Sequence, residues 1–185
     1  MIQAADSLVS VAGPLAVQEV EQEKWFALYT KSRHEKLLDR ELSKKGLTTF
    51  LPLRSITRHW SDRKKIIQEP LFKSYLFVRM QIGQRLRALN TPGAVRFVTG
   101  AHSLPIEVPE KDIEAIKRFS ITNIALDPFP YLKKGERVYI RSGPFKGVEG
   151  FILYKNQQCR LVISIDALMQ SISIEVDQAC VEKTG

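Results

Sequence analysis

The chain has 185 residues, with 28 Lys and Arg against 20 Asp and Glu, a formal net charge of +8. That length suits one or two ordinary domains and is too short for a large enzyme barrel. At 44% hydrophobic and 26% charged the chain can bury a core. No uncharged apolar run approaches the roughly 20 residues of a membrane span, and two cysteines, Cys159 and Cys180, are too few for a disulfide framework or a four-Cys zinc site.

Residues 1–23 hold Asp6, Glu19, Glu21 and Glu23 and neither Lys nor Arg. Without the basic start of a secretory signal they read as a disordered acidic tail. Lys24 to Thr30 reads as a strand, with Trp25, Ala27 and Tyr29 on one face and Phe26 and Leu28 on the other. Ser32 and Glu35 have the spacing of a capping box, Leu37, Leu38 and Leu42 supply an apolar stripe, and Gly46 suits a C′ position. These features predict a helix over Arg33 to Lys45.

Leu47 to Leu53 reads as an extended stretch that Pro52 confines to a sheet edge or a strand end. Arg54 to Glu69 carries no apolar stripe and reads as an exposed hairpin or loop. Ser74 to Met80 has the continuous apolar run of a central strand. A short helix at Gln84 to Leu89, a turn at Thr91-Pro92-Gly93 and a strand at Val95 to Val98 follow. Pro109 to Phe119 reads as a helix with Ile113, Ile116 and Phe119 on one face. Helices with strands on a small mixed sheet make residues 24–120 an α+β domain.

Residues 121–131 contain Pro128 and Pro130 and read as a flexible linker. In 132–185 the texture changes to short strands at Glu136 to Arg141, Gly147 to Tyr154, Arg160 to Ile165 and Ser171 to Val176. That spacing fits a small all-β barrel. The strands alternate β-branched residues at period two, so a permanent barrel is expected, loosely joined to the first domain. Cys159 and Cys180 read as small core or strand residues.

The charge is uneven: residues 1–23 carry −4, Lys24 to Ser120 +11, Ile121 to Tyr131 −1 and Leu132 to Gly185 +2. A basic field confined to one domain favours a polyanionic partner, most simply nucleic acid. Catalytic constellations are missing. No phosphate loop or nucleophile elbow occurs, and His34, His59 and His102 share no metal spacing. The reading is of a binding protein, not an enzyme, with no cofactor and no metal.

Trp25-Phe26-Ala27-Leu28-Tyr29-Thr30, Glu35-Lys36, Glu69-Pro70-Leu71-Phe72-Lys73-Ser74-Tyr75-Leu76-Phe77-Val78 and Thr91-Pro92-Gly93-Ala94-Val95-Arg96-Phe97-Val98 resemble the N-terminal domain of the NusG transcription elongation factors. Leu132 to Val138 and Ser142 to Gly150 resemble the KOW motif of that family's C-terminal, SH3-like barrel. The fragments occur in family order and cover about Lys24 to Lys183. Trp60-Ser61-Asp62-Arg63-Lys64-Lys65 looks more like the specialised RfaH-, UpxY- and LoaP-like paralogs. Lys73 departs from the family, which usually has proline or glycine there, so the turn entering the strand is expected to differ.

The resemblance implies a cytoplasmic, bacterial, monomeric transcription antitermination and elongation factor without membrane contact. Its N-terminal domain would grip the clamp helices of the largest RNA polymerase subunit through Tyr29, Phe72, Tyr75 and Phe77, and touch the opposite jaw through Arg85 and Arg87. Lys31, Arg33, Arg58, His59, Trp60, Arg63, Lys64 and Lys65 would face upstream DNA and the non-template strand. Leu168 and Met169 of the KOW barrel would meet a ribosomal protein or a termination factor. The favoured role is suppression of pausing or termination on specific long operons, for example those for polysaccharide biosynthesis. The housekeeping NusG elongation factor and a ribosome-associated KOW RNA-binding protein are the alternatives.

Overall fold

The computed structural model describes residues 22–59, 63–100, 103–121, 127–132, 135–155 and 158–184. No helix among them is long and apolar enough to cross a membrane. The first sheet is organised around β1 (Lys24–Thr30). It pairs with β5 (Tyr75–Met80) on one side and with β6 (Ala94–Phe97) and β7 (Glu107–Val108) on the other, while β2 (Thr48–Phe50) lines the far edge of β5. The pairings are all antiparallel, so this sheet is antiparallel where a mixed one was expected.

Period-two alternation sends the two faces of β1 and β5 into separate cores. Phe26, Leu28, Leu76, Val78 and Met80 pack with Leu38 and Leu42 of α1 (Glu35–Lys44) and Ala88 of α2 (Arg85–Leu89). Trp25, Ala27 and Phe77 belong to the opposite cluster, with Ile113, Ile116 and Phe119 of α3 (Glu110–Ile121). The central position of β5 and the apolar face of α3 both agree with the sequence reading.

The start of α1 differs from it. The Ser32–Glu35 capping box does not form, because Arg33 turns the chain at φ +63° and the helix begins at Glu35 behind His34. The buried Glu35 carboxylate instead accepts from the Ser74 amide at 2.8 Å. That bond holds Ser74 at φ +63°, in the turn that contains the unusual Lys73. Leu37 faces solvent, so the buried stripe reduces to Leu38 and Leu42.

β3 (Leu53–His59) and β4 (Lys64–Pro70) form a separate two-stranded ribbon where an exposed hairpin or loop was expected. The second domain is a six-stranded antiparallel sheet in the order β13-β9-β10-β11-β12-β8. Its strands are β8 (Asp127–Phe129), β9 (Glu136–Ile140), β10 (Glu149–Lys155), β11 (Gln158–Ile165), β12 (Gln170–Glu175) and β13 (Val181–Lys183). Val138, Ile140, Ile152, Leu161, Ile163, Ile165, Ile172 and Ile174 fill its core. β8 lies inside the stretch read as linker. It pairs with β12 and is pinned by the Arg160–Asp127 ion pair at 2.7 Å. Pro128 is tolerated because β8 is an edge strand.

The barrel also rests on α3. The Phe119 and Phe145 rings lie 4.7 Å apart, Arg118 donates to the Lys146 carbonyl at 2.8 Å, and Lys111 faces Glu149 at 3.7 Å. The barrel, expected to be loosely joined, thus contacts α3 in this structure.

Gly150 on β10 has no room for a side chain, since a Cβ there would lie 2.5 Å from the Val162 carbonyl oxygen. Gly150→Ala is expected to separate β10 from β11 at a cost of about 1–3 kcal/mol. Chemical denaturation of the full chain checks this; an unchanged midpoint would contradict it.

Candidate functional site

On β1 and β5, α3 covers the Trp25–Ala27–Phe77 part of one face. The same face continues to the strand ends, where Tyr29 stands opposite Tyr75. Their rings are 5.2 Å apart at 65°, an edge-to-face contact. Arg96 of β6 is the cross-strand neighbour of Tyr29 on its other side, with its guanidinium 5.5 Å from the Tyr29 ring centroid. Both tyrosines are half-buried and Arg96 is exposed. The result is a rigid aromatic patch with a polar rim, the kind of surface that anchors protein interfaces.

Phe72 and Phe77 do not join this patch, contrary to the sequence expectation. They are 2% and 0% exposed. Phe77 meets Phe72 edge-to-face at 6.0 Å and stacks on Phe50 at 6.1 Å. Lys117 of α3 lies over Trp25 and Phe50, at 5.3 and 6.0 Å from their ring centroids, which closes the cover. Arg96, which the sequence reading did not single out, borders the tyrosine pair because the β1–β6 register sets it opposite Tyr29.

Arg85 and Arg87 are exposed on α2, with the exposed Leu86 between them. Arg87 also donates to the Lys45 carbonyl, and Lys45 Nζ donates to Thr91 Oγ1 at 2.7 Å, so α2 is tied to the end of α1.

The expected basic surface gathers around the start of α1 and the ribbon. Lys31, Arg33, Arg58, His59, Arg63, Lys64 and Lys65 are all exposed. Lys36 Nζ donates to the Gln68 carbonyl at 2.7 Å, which brings the ribbon beside α1 and adds a cation that was not foreseen. Glu69 accepts from Arg54 at 3.0 Å and faces Arg58 at 3.8 Å. Trp60 lies outside the described residues.

In the barrel, Leu168 is buried and Met169 is 61% exposed, in a left-handed turn at φ +51°. Leu168 therefore packs inward, where a partner contact was expected, and Met169 alone remains on the surface. Its 3-10 turn, Asp166–Leu168, lies against β7 of the first domain. Burial pushes the Asp112 carboxyl on α3 up to about 6; Lys111 opposes the rise and Asp166 adds to it. Tyr131 donates its hydroxyl to Asp166 at 2.8 Å. Among the described residues, no three His, Cys, Asp or Glu side chains come together to hold a metal ion.

The comparisons with known proteins agree with this architecture. The profile of the family described as "Transcription termination factor nusG" matches residues 23–117. The "Transcription termination/antitermination protein NusG" of Staphylococcus aureus is 25% identical over 181 residues, spanning 90% of this chain and 98% of its own. A structure described as "Domain interaction in Thermotoga maritima NusG" aligns with a TM-score of 0.55 and 22% identity, over 89% of this chain and 98% of that one. These findings define the class, a transcription termination/antitermination factor in which an α+β domain precedes a small KOW barrel. The chain belongs to the NusG family.

Two outcomes follow from the geometry. Phe77→Ala should destabilise the first domain by about 3–5 kcal/mol, as a buried aromatic does, whereas Tyr75→Ala should leave a folded protein. Thermal melts of the two variants check this, and equal losses would contradict it. The raised pKa of Asp112 penalises its ionised form in the folded protein, so stability is lost as pH rises from about 4 through about 6. Asp112→Asn removes the penalty. Its gain in melting temperature over the parent should be larger at pH 8 than at pH 5; a gain independent of pH would contradict the assignment.

Proposed function

We propose that this protein binds RNA polymerase through the Tyr29–Tyr75–Arg96 patch and suppresses pausing or termination on a small set of long operons. The observation that carries the reading is an aromatic pair left at the uncovered end of a sheet face, in a domain that also carries an exposed basic ribbon. By its family resemblance the patch would take the clamp helices of the largest subunit, and Arg85 and Arg87 on α2 would reach the opposite jaw. Bridging both sides holds the clamp closed and resists the opening that accompanies pausing. This is binding work, in which no bond is made or broken.

Rigid aromatics suit that task because they present large area at little entropic cost. Lys31, Arg33, Arg58, Arg63, Lys64 and Lys65 would follow the phosphates of upstream DNA and the displaced strand, for which cations suffice. The ribbon sequence around Arg63-Lys64-Lys65 supports the operon-specific paralogs over the housekeeping factor. Met169 is the barrel residue offered to a ribosomal or termination-factor partner.

Chromatin profiling of the tagged protein tests the role. Occupancy confined to one or a few operons is expected, and occupancy of most transcribed genes would instead assign the housekeeping role. At the patch, Tyr75→Ala should weaken polymerase binding about 30-fold, the equivalent of roughly 2 kcal/mol for a central aromatic anchor. Titration of polymerase with the folded variant measures it, and wild-type affinity would remove Tyr75 from the interface.

Replacing Arg63, Lys64 and Lys65 together by Ala should lower affinity for the elongation complex. The log–log salt slope should flatten by about 0.7–0.9 for each lost phosphate contact. Binding to isolated clamp helices should persist. An unchanged slope would place these cations away from nucleic acid.

A further inference from the structure

The β3–β4 ribbon has two unlike faces. Its register pairs Arg54 with Glu69, Ile56 with Ile67 and Arg58 with Lys65 on one side, and Ser55 with Gln68, Thr57 with Ile66 and His59 with Lys64 on the other. Cross-strand partners share a face and successive residues alternate. The first face leans on the protein: Arg54, Glu69, Ile56 and Ile67 are all half-buried, and Glu69 is engaged by both Arg54 and Arg58. The second face is exposed at all six positions. None of these six described positions is a carboxylate, and Glu69 lies on the other side.

The outward face carries a particular set of groups. Gln68 Nε2 donates to Ser55 Oγ at 2.6 Å, which orients the amide. Thr57 and the 69% exposed Ile66 add methyl groups beside it, and His59 and Lys64 stand further toward the tip. Amide and hydroxyl groups hydrogen-bond base edges, and an apolar side chain meets the thymine methyl. Lys64 would supply a phosphate contact. A face needed only for non-specific attraction would require cations alone. The ribbon's shape points to the same ligand. A two-stranded β-ribbon fits the major groove of B-form DNA, which is about 12 Å wide. The deep, narrow major groove of A-form RNA does not admit it. Residues 54–69 hold five cations against two acids, a balance that complements the groove's phosphate walls.

We propose that Ser55, Thr57, His59, Lys64, Ile66 and Gln68 form a reading face that selects sequence in the major groove of duplex DNA. This rests on the nucleic-acid contact proposed above and goes beyond it, since that contact needs only phosphates.

The test uses the full chain. Duplexes selected from a random pool are compared by fluorescence anisotropy with scrambled duplexes, with single strands and with RNA duplexes of the same sequence. The wild type is expected to prefer the selected DNA duplex. Ile66→Ser and Gln68→Ala should each reduce that preference about tenfold while leaving the salt slope unchanged. Lys64→Ala should flatten the slope by about 0.9 on selected and scrambled duplexes alike. Both reading-face positions are exposed, so the variants are expected to melt with the parent. Failure to select any sequence, a preference for RNA or single strands, or an unchanged preference in both variants would overturn the proposal. If the Arg63, Lys64 and Lys65 triple variant still loses affinity in that case, the phosphate contact stands and only the reading face falls. A triple variant with wild-type affinity and slope overturns both.

Discussion

The pairing of β1 with β5 is the constraint on which the rest of this protein depends. Its register sets Ala27 against Phe77 and Tyr29 against Tyr75. The pleat then commits Trp25, Ala27, Tyr29, Tyr75 and Phe77 to one face. α3 covers part of that face with Ile113, Ile116 and Phe119. Where the cover ends, two tyrosines are left half-buried. A one-residue slip of β1 would exchange its apolar sets between the two cores and remove Tyr29 from the patch. The fold and the candidate interface are therefore set by the same hydrogen-bond ladder.

Much of this was legible in the sequence because periodicity reports faces directly. β1, β5 and α3 read clearly, and so did the exposed hairpin and the strands of the barrel. Periodicity does not report what covers a face. Tyr75 and Phe77 are equivalent in pattern on β5, and the position of α3 is what makes Phe77 core and leaves Tyr75 half-buried, while Phe72 is buried against Phe77 from the preceding turn. Leu168 is a similar case, because an apolar residue in a turn can point either way. Glu35 shows a different limit. Its spacing from Ser32 suited a capping box, but the carboxylate found a tertiary partner in the Ser74 amide 39 residues away. β8 was hidden by Pro128 and Pro130, which argue against a strand except at an edge, where β8 lies.

The ribbon combines both situations. Its cations were evident from composition, but the division into a leaning face and an open face follows from the register, with Glu69 engaged on one side only. The ribbon's cations divide between the two faces, with Arg58 and Lys65 on one and Lys64 on the other. The barrel adds a second contact to the first domain through Phe119 and Phe145, whose aromatic packing was not foreseen. The sequence gives no cue to it, since Phe119 reads as part of the apolar face of α3 and Phe145 lies in a turn, where it can point either way.

The central claim is that the uncovered end of the sheet face is where polymerase binds. A photo-crosslinking amino acid placed at Arg96 tests it most directly, since that side chain is exposed and borders the tyrosine pair. In a reconstituted elongation complex, irradiation should join the protein to the largest polymerase subunit. Adducts confined to nucleic acid or to another polymerase subunit, or no adduct from a complex that assembles normally, would contradict the account.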